Sequence, residues 1–278
     1  MDWIFDNLQI LIAAGAGVFG GILAGLLGVG GGIVIVPALY LALSAAGMDP
    51  AITMQVAVGT SLATIVFTSL SSGYGHYKRG AIDMDLLRLW APSLLVGVVI
   101  GAALGGYVSG YILIAVFAVV AAIVALDMIF RPTKDDPEPR GFSKLIWAAL
   151  GTVTGALSAM MGIGGGTIGV PLLNFLGYDI RRAVGTSAAI GFIIGLPGAV
   201  VYIFTGLGVE GLPPFSFGYV NLVAAAVIIP LTTSFAHVGV KLAHSIPRRA
   251  LRLAFGAFLM LTSARMFFDL YRSLLINA

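Results

Sequence analysis

Two short glycine runs are the residues of this chain whose pattern could do chemistry. Gly28-Val29-Gly30-Gly31-Gly32 interrupts one apolar segment, and Gly162-Ile163-Gly164-Gly165-Gly166 interrupts another. Both read G-[VI]-G-G-G-x4-P, ending at Pro37 and Pro171, and they lie 134 residues apart. Consecutive glycines break a helix and expose backbone N–H groups with no side chain in the way. Each run leads into a second apolar stretch, starting at Ile33 and Thr167. The N-terminus of such a helix adds partial positive charge, and exposed amides there favour an anion. Gly30, Gly31, Gly32, Gly164, Gly165 and Gly166 are therefore the candidate binding backbone. Thr167 adds a hydroxyl, and so does the doubled Val-Gly-Thr-Ser at 58–61 and 184–187. Thr60, Ser61, Thr186 and Ser187 could complete a neutral donor shell. They could equally bond their own helix backbone.

Other chemistries find no support. Gly15-Ala16-Gly17-Val18-Phe19-Gly20 fits GxGxxG but lies inside an apolar helix with no preceding strand, so it is no dinucleotide fingerprint. The glycine runs lack the Lys-Ser/Thr of a P-loop. His76 and His244 are expected in solvated loops, and His237 within a span or near its end as a packing residue. No Ser/His dyad or acid cluster stands out, so no catalytic residue, metal or cofactor is expected. The absence of cysteine excludes disulfides and thiolate metal sites.

The elements that must position the runs belong to a membrane. Of 278 residues, 59% are hydrophobic and 10% charged, against about 25% charged in soluble domains. Apolar stretches of roughly 20 residues recur along the whole length. Spans are expected at Leu8–Leu27, Ala51–Gly73, Leu89–Tyr107, Tyr111–Phe130 and Leu145–Met161, with further spans to the C-terminus. Ile33–Ala46 and Ile168–Gly177 are shorter. The net charge of +3 does not indicate nucleic acid, because the basic residues sit in short loops between apolar segments. The N-terminus lacks a basic n-region, so a cleaved signal is not expected.

The chain repeats itself. Gly17, Gly21 and Gly25 recur as Gly151, Gly155 and Ala159 at the same spacing of 134 as the glycine runs. The small-residue face they make suits close helix packing. Val-Gly-Thr-Ser recurs at 126, which places a gap in the loop around Met48-Asp49-Pro50, and Arg131 corresponds to Arg265. Two repeats, 1–130 and 145–278, flank a charged, proline-rich linker at 131–144.

Loop charge orients the repeats. The loops 76–88, 131–144, 181–182 and 241–252 hold every Lys and Arg except Arg265 and Arg272. Placing these loops in the cytoplasm puts both termini outside. Each glycine-interrupted segment must then enter and leave from one side. The expectation is an all-α polytopic membrane protein of two inverted-topology repeats. Each is a glycine-tipped, re-entrant-like helical hairpin plus three transmembrane helices. The two tips could meet near the midplane. The pattern leaves open whether the longer hairpin arms cross fully.

With the doubled glycine run, the doubled Val-Gly-Thr-Ser and the linker between halves, the chain resembles the TauE/SafE family of sulfite and organosulfonate exporters. The resemblance covers nearly the whole sequence. It implies a permease of the bacterial inner membrane for sulfite, a sulfonate or a related oxyanion. The residues themselves reach only "anion". A secondary transporter working by alternating access fits the inverted repeats. The alternative is an anion channel with the same glycine-lined centre.

Overall fold

A computed structural model describes residues 7–130, 142–242 and 247–277. These form ten helices and one small ribbon. The first half holds α1 (Asn7–Leu27), α2 (Gly32–Ala45), α3 (Pro50–Tyr77), α4 (Met84–Tyr107) and α5 (Gly110–Phe130). The second holds α6 (Lys144–Met161), α7 (Gly166–Phe175), α8 (Ile180–Thr205), the strands β1 (Ser216–Phe217) and β2 (Val220–Asn221), α9 (Leu222–Leu242) and α10 (Arg248–Asn277). Most of the expected linker, along with Arg131 and His244, lies outside the described residues.

Local chemistry sets the helix starts. Asp49 and Asp179 cap α3 and α8, their carboxylates accepting from the Ala51 and Arg181 amides at 2.8 and 2.9 Å. The turns before these caps match: residues 46–49 and 176–179 are both four long, with Gly47 and Gly177 at positive φ. The gap between the repeats is therefore not in the loop, where the Val-Gly-Thr-Ser spacing put it. Four residues lengthen α2 relative to α7, and four more precede the motif in α3. Each addition is about one helical turn, which preserves the facing side of the helix.

Among the described residues, seven helices are long and apolar enough to cross a membrane: α1, α3, α4, α5, α6, α8 and α9. The long hairpin arms α1 and α6 are among them. At 14 and 10 residues, α2 and α7 reach only about 21 and 15 Å, short of a hydrocarbon core of about 30 Å. The fold is all-α and multi-pass.

The helices pack reciprocally. α3 and α8 lie antiparallel at the centre, Gly73 meeting Ala188 and Ala189, Gly191 meeting Ser69, and Gly59 meeting Tyr202. α5 and α10 are also antiparallel: Gly256 lies against Ile129, and the Ser263 hydroxyl donates to the Ala118 carbonyl at 2.7 Å. The long arm of each hairpin packs on a helix of the other half. α1 runs parallel to α9, and α6 parallel to α4. The small-residue face serves this contact. A Cβ on Gly21 would sit 2.7 Å from the Thr232 carbonyl oxygen, and one on Gly25 would strike the Ala236 carbonyl. Gly155 meets the Leu94 carbonyl in the same way.

These contacts separate two kinds of glycine on one helix. Gly15 has open space beside it. Gly15→Ala should therefore hold or raise the thermal midpoint, by the ~0.5–1 kcal/mol that alanine gains over glycine in a helix. Gly25→Ala should lower it, by about 1–3 kcal/mol of overpacking. Thermal unfolding in detergent reads both, and equal midpoints would refute the close approach of α1 and α9.

Candidate functional site

The glycine runs are where the two hairpins turn, and they touch each other. Gly28 and its counterpart Gly162 both have positive φ, +68° and +66°, a conformation that side chains with a Cβ resist. The chain then doubles back into α2 and α7. A Cβ on Gly30 would lie 3.3 Å from the Gly164 Cα. The Gly162 carbonyl stands against Gly32, and the Gly28 carbonyl stands against Gly166. Each short arm thus begins under a carbonyl oxygen of the opposite break. Gly30 and Gly32 also meet Ile65, in the middle of α3, and Gly165 meets Ile190 of α8.

All the candidate hydroxyls are buried: Thr60, Ser61, Thr167, Thr186 and Ser187 are each 0% exposed. They split by partner. The Thr60 oxygen accepts from the Asn221 amide, and the Thr186 oxygen accepts from the Asp83 amide, both at 2.9 Å. Asn221 and Asp83 in turn cap α9 and α4, accepting from Ala224 and Leu86. These two threonines therefore tie α3 and α8 to the start of the next span in the opposite half. The Ser61 hydroxyl donates to the Gly162 carbonyl at 2.7 Å, joining α3 to the second break. Among the described residues, the hydroxyls of Ser187 and Thr167 have no hydrogen-bond partner.

The sequence reading missed the Asp83/Asn221 pair. The signal was present: Pro92 and Pro230, and Gly101 and Gly239, repeat at the same spacing of 138 residues. Gly101 and Gly239 lie against the carbonyls of Ala156 and Ile22, which are themselves counterparts at 134. His76 also departs from expectation. It is not in a solvated loop but in the last turn of α3, 3% exposed, with Nε2 3.1 Å from the Gly25 carbonyl. The end of α1 packs over it, because α3 continues past Gly73, where the polar stretch had suggested a loop. His237 lies within α9 at its exposed side, Nδ1 2.9 Å from the Ser71 hydroxyl.

The environment of the breaks is neutral. Their described contacts are backbone, Ile, Val, Ser and Ala, with no ionisable side chain. Charge gathers at the helix ends instead, where Arg182 and Asp83 approach at 3.8 Å. Beside them, burial and then the Asp83 carboxylate push the Tyr178 phenol above its usual value. Tyr178 stacks edge-on against Trp147, which stacks edge-on against the buried Trp90. Such an arrangement can bind an anion through dipoles and hydroxyls.

The family model for the sulfite exporter TauE/SafE matches residues 13–266. The chain belongs to the TauE/SafE family. A relative from Haemophilus influenzae, named a probable membrane transporter protein, is 33% identical over 93% of this chain and 98% of its own length. Relatives with the same kind of name include YunE of Bacillus subtilis, 28% identical over 72% of this chain and 80% of its own length. Another, from Methanocaldococcus jannaschii, is 28% identical over 91% and 92%. No solved structure matches the chain. This TauE/SafE member is therefore a multi-pass membrane transporter and not an enzyme.

The threonine ties carry their own test. Thr60→Val removes the acceptor of the buried Asn221 amide and should cost about 1–3 kcal/mol of stability. Thr60→Ser keeps the oxygen and should lose far less. A Thr60→Val protein unfolding at the wild-type midpoint would mean that the tie is not structural.

Proposed function

We propose that the protein is a secondary transporter of a small anion, sulfite or an organosulfonate, in the bacterial inner membrane. The single observation that carries this reading is the meeting of two helix breaks in a buried, uncharged setting. Non-helical backbone inside a membrane protein is tolerated where it is buried in protein or lines a polar cavity. Paired breaks at a repeat interface are the usual seat of substrate in transporters. The proposed substrate site comprises Gly30–Gly32, Gly164–Gly166 and Thr167, supported by Thr60, Ser61, Thr186 and Ser187. Dipoles and hydroxyls without a fixed cation bind an oxyanion weakly enough to release it. The sulfur chemistry rests on the name of the family.

Alternating access is the proposed mechanism. Its support is the antiparallel pairing of counterpart helices, α3 with α8 and α5 with α10, as inverted repeats require. The exchange of long arms between halves adds to it. Each break rides on a hairpin anchored to the opposite repeat, so rocking one half against the other would part the tips. The loop charges then give an orientation with the termini outside and residues 131–144 in the cytoplasm.

Reconstituted protein should take up labelled sulfite or methanesulfonate with saturable kinetics, and loading the opposite side should accelerate uptake. Saturation without this counterflow would make the protein a channel. Gly31→Leu and Gly165→Leu should each abolish uptake. Gly31 has φ +81° and sits against the Gly20 carbonyl, and a Cβ on Gly165 would lie 2.5 Å from the Ile190 side chain. Wild-type transport in both variants would remove the site.

The orientation is tested separately, since the native chain has no cysteine. Single cysteines at Gly47 and Gly208 should react with an impermeant maleimide from outside, and one at Gly80 only after permeabilisation. The opposite pattern would invert the topology.

A further inference from the structure

We propose that the anion seat is one-sided: the second break holds the ligand, with the hydroxyls of Thr167 and Ser187, and the first break is its cover. This rests on the reading of the protein as an anion transporter and narrows it. The two breaks match in backbone but differ in side chains. Counterparts lie 134 residues apart in the hairpins, so Thr167 of α7 faces the role that Ile33 plays in α2. Both are fully buried. The first side is thus apolar where the second carries a hydroxyl.

The serines of the doubled motif diverge as well. Ser61 is committed, donating to the Gly162 carbonyl at 2.7 Å. Its counterpart Ser187 is equally buried but makes no such bond. Its Oγ lies 3.0 Å from where a Cβ on Gly169 would stand, so it is aimed at the first turns of α7. The Thr167 hydroxyl on the same turn also has no partner among the described residues. Buried hydroxyls left without a partner are uncommon in native proteins and call for a reason.

The helix end supplies the rest of the seat. The first intrahelical bond at this end runs from the Gly169 amide to the Gly165 carbonyl. The amides of Gly166, Thr167 and Ile168 precede it and have no acceptor within the helix. The Gly28 carbonyl of the first break stands against Gly166, where an anion oxygen would approach. Over α2 the equivalent carbonyl, that of Gly162 in the second break, is pinned by Ser61. Ser187 does not pin Gly28, so the cover over α7 is the looser of the two. When the breaks part, an oxyanion replaces the carbonyl and takes hydrogen bonds from Thr167, Ser187 and the α7 amides. The matching ligand is compact, with two or three acceptor oxygens on one centre, as in sulfite or a sulfonate head group. It needs no cationic partner.

Equilibrium binding of labelled sulfite and methanesulfonate to the purified full chain tests this, with transport measured on the same variants. Thr167→Val and Ser187→Ala should each raise Kd about tenfold or more, as expected for losing a hydrogen bond to a charged group. Thr167→Ser should stay within about threefold of wild type. Ser61→Ala should lower the thermal midpoint and change Kd less than Ser187→Ala does. An equal rise in Kd for Ser61→Ala would show a shared site and overturn the proposal. Wild-type Kd in Ser187→Ala and Thr167→Val, with transport still abolished by Gly165→Leu, would overturn it while leaving the transporter reading intact. If wild-type protein binds and moves neither anion, both readings fall. Should Thr167→Val fail to fold, Ser187→Ala and the ratio of Ser187→Ala to Ser61→Ala decide alone.

Discussion

Backbone polar groups that leave a helix inside an apolar molecule must meet partners, and the whole arrangement follows from how these are met at two places. Each glycine run ends a long helix, turns through positive φ and starts a short one. The carbonyls and amides released there cannot rely on water or lipid. The two runs lie against each other, Gly28 over Gly166 and Gly162 over Gly32, and the Ser61 hydroxyl donates to the Gly162 carbonyl. The pairing also explains why these positions are glycine: a Cβ on Gly32, Gly164 or Gly166 would strike backbone of the other run.

Bringing the tips together constrains the helices that carry them. α1 must lie close along α9, and α6 along α4, so that each hairpin is held by the half it does not belong to. The small residues at four-residue intervals make that approach possible, with carbonyls of one helix seated against glycines of the other. The Thr60–Asn221 and Thr186–Asp83 bonds lock the central helices to the starts of α9 and α4. In a bilayer the hydrophobic effect does not drive helices together, so such packing and buried hydrogen bonds carry the assembly. The result is a molecule of two interlocked halves.

Much of this was legible in the residues. Class, helix content, the interrupted segments and the packing role of Gly17, Gly21 and Gly25 follow from composition and spacing. These signals are local and repeat at fixed intervals. The errors came where an offset was read from one motif alone. Val-Gly-Thr-Ser placed the gap in a loop, whereas one turn had been added to each of two helices, leaving the loop unchanged. His76 looked solvated because its neighbours are polar, yet α1 from a distant part of the chain covers it. The Asp83/Asn221 caps escaped notice because Asp and Asn are unlike in charge but alike as acceptors of a helix amide.

By itself the sequence determined that there are two breaks, where they lie, and what backbone chemistry they expose. Glycine runs in apolar segments permit little else. It could not decide which hydroxyls are spent and which remain. Ser61 and Ser187 stand in the same four-residue motif, yet one holds a carbonyl and the other does not. Thr60 and Thr186 look like ligands and serve the starts of other helices. A hydroxyl's partner lies more than 100 residues away along the chain in each of these bonds. Only the tertiary structure brings those atoms within about 3 Å, the range in which a hydrogen bond forms.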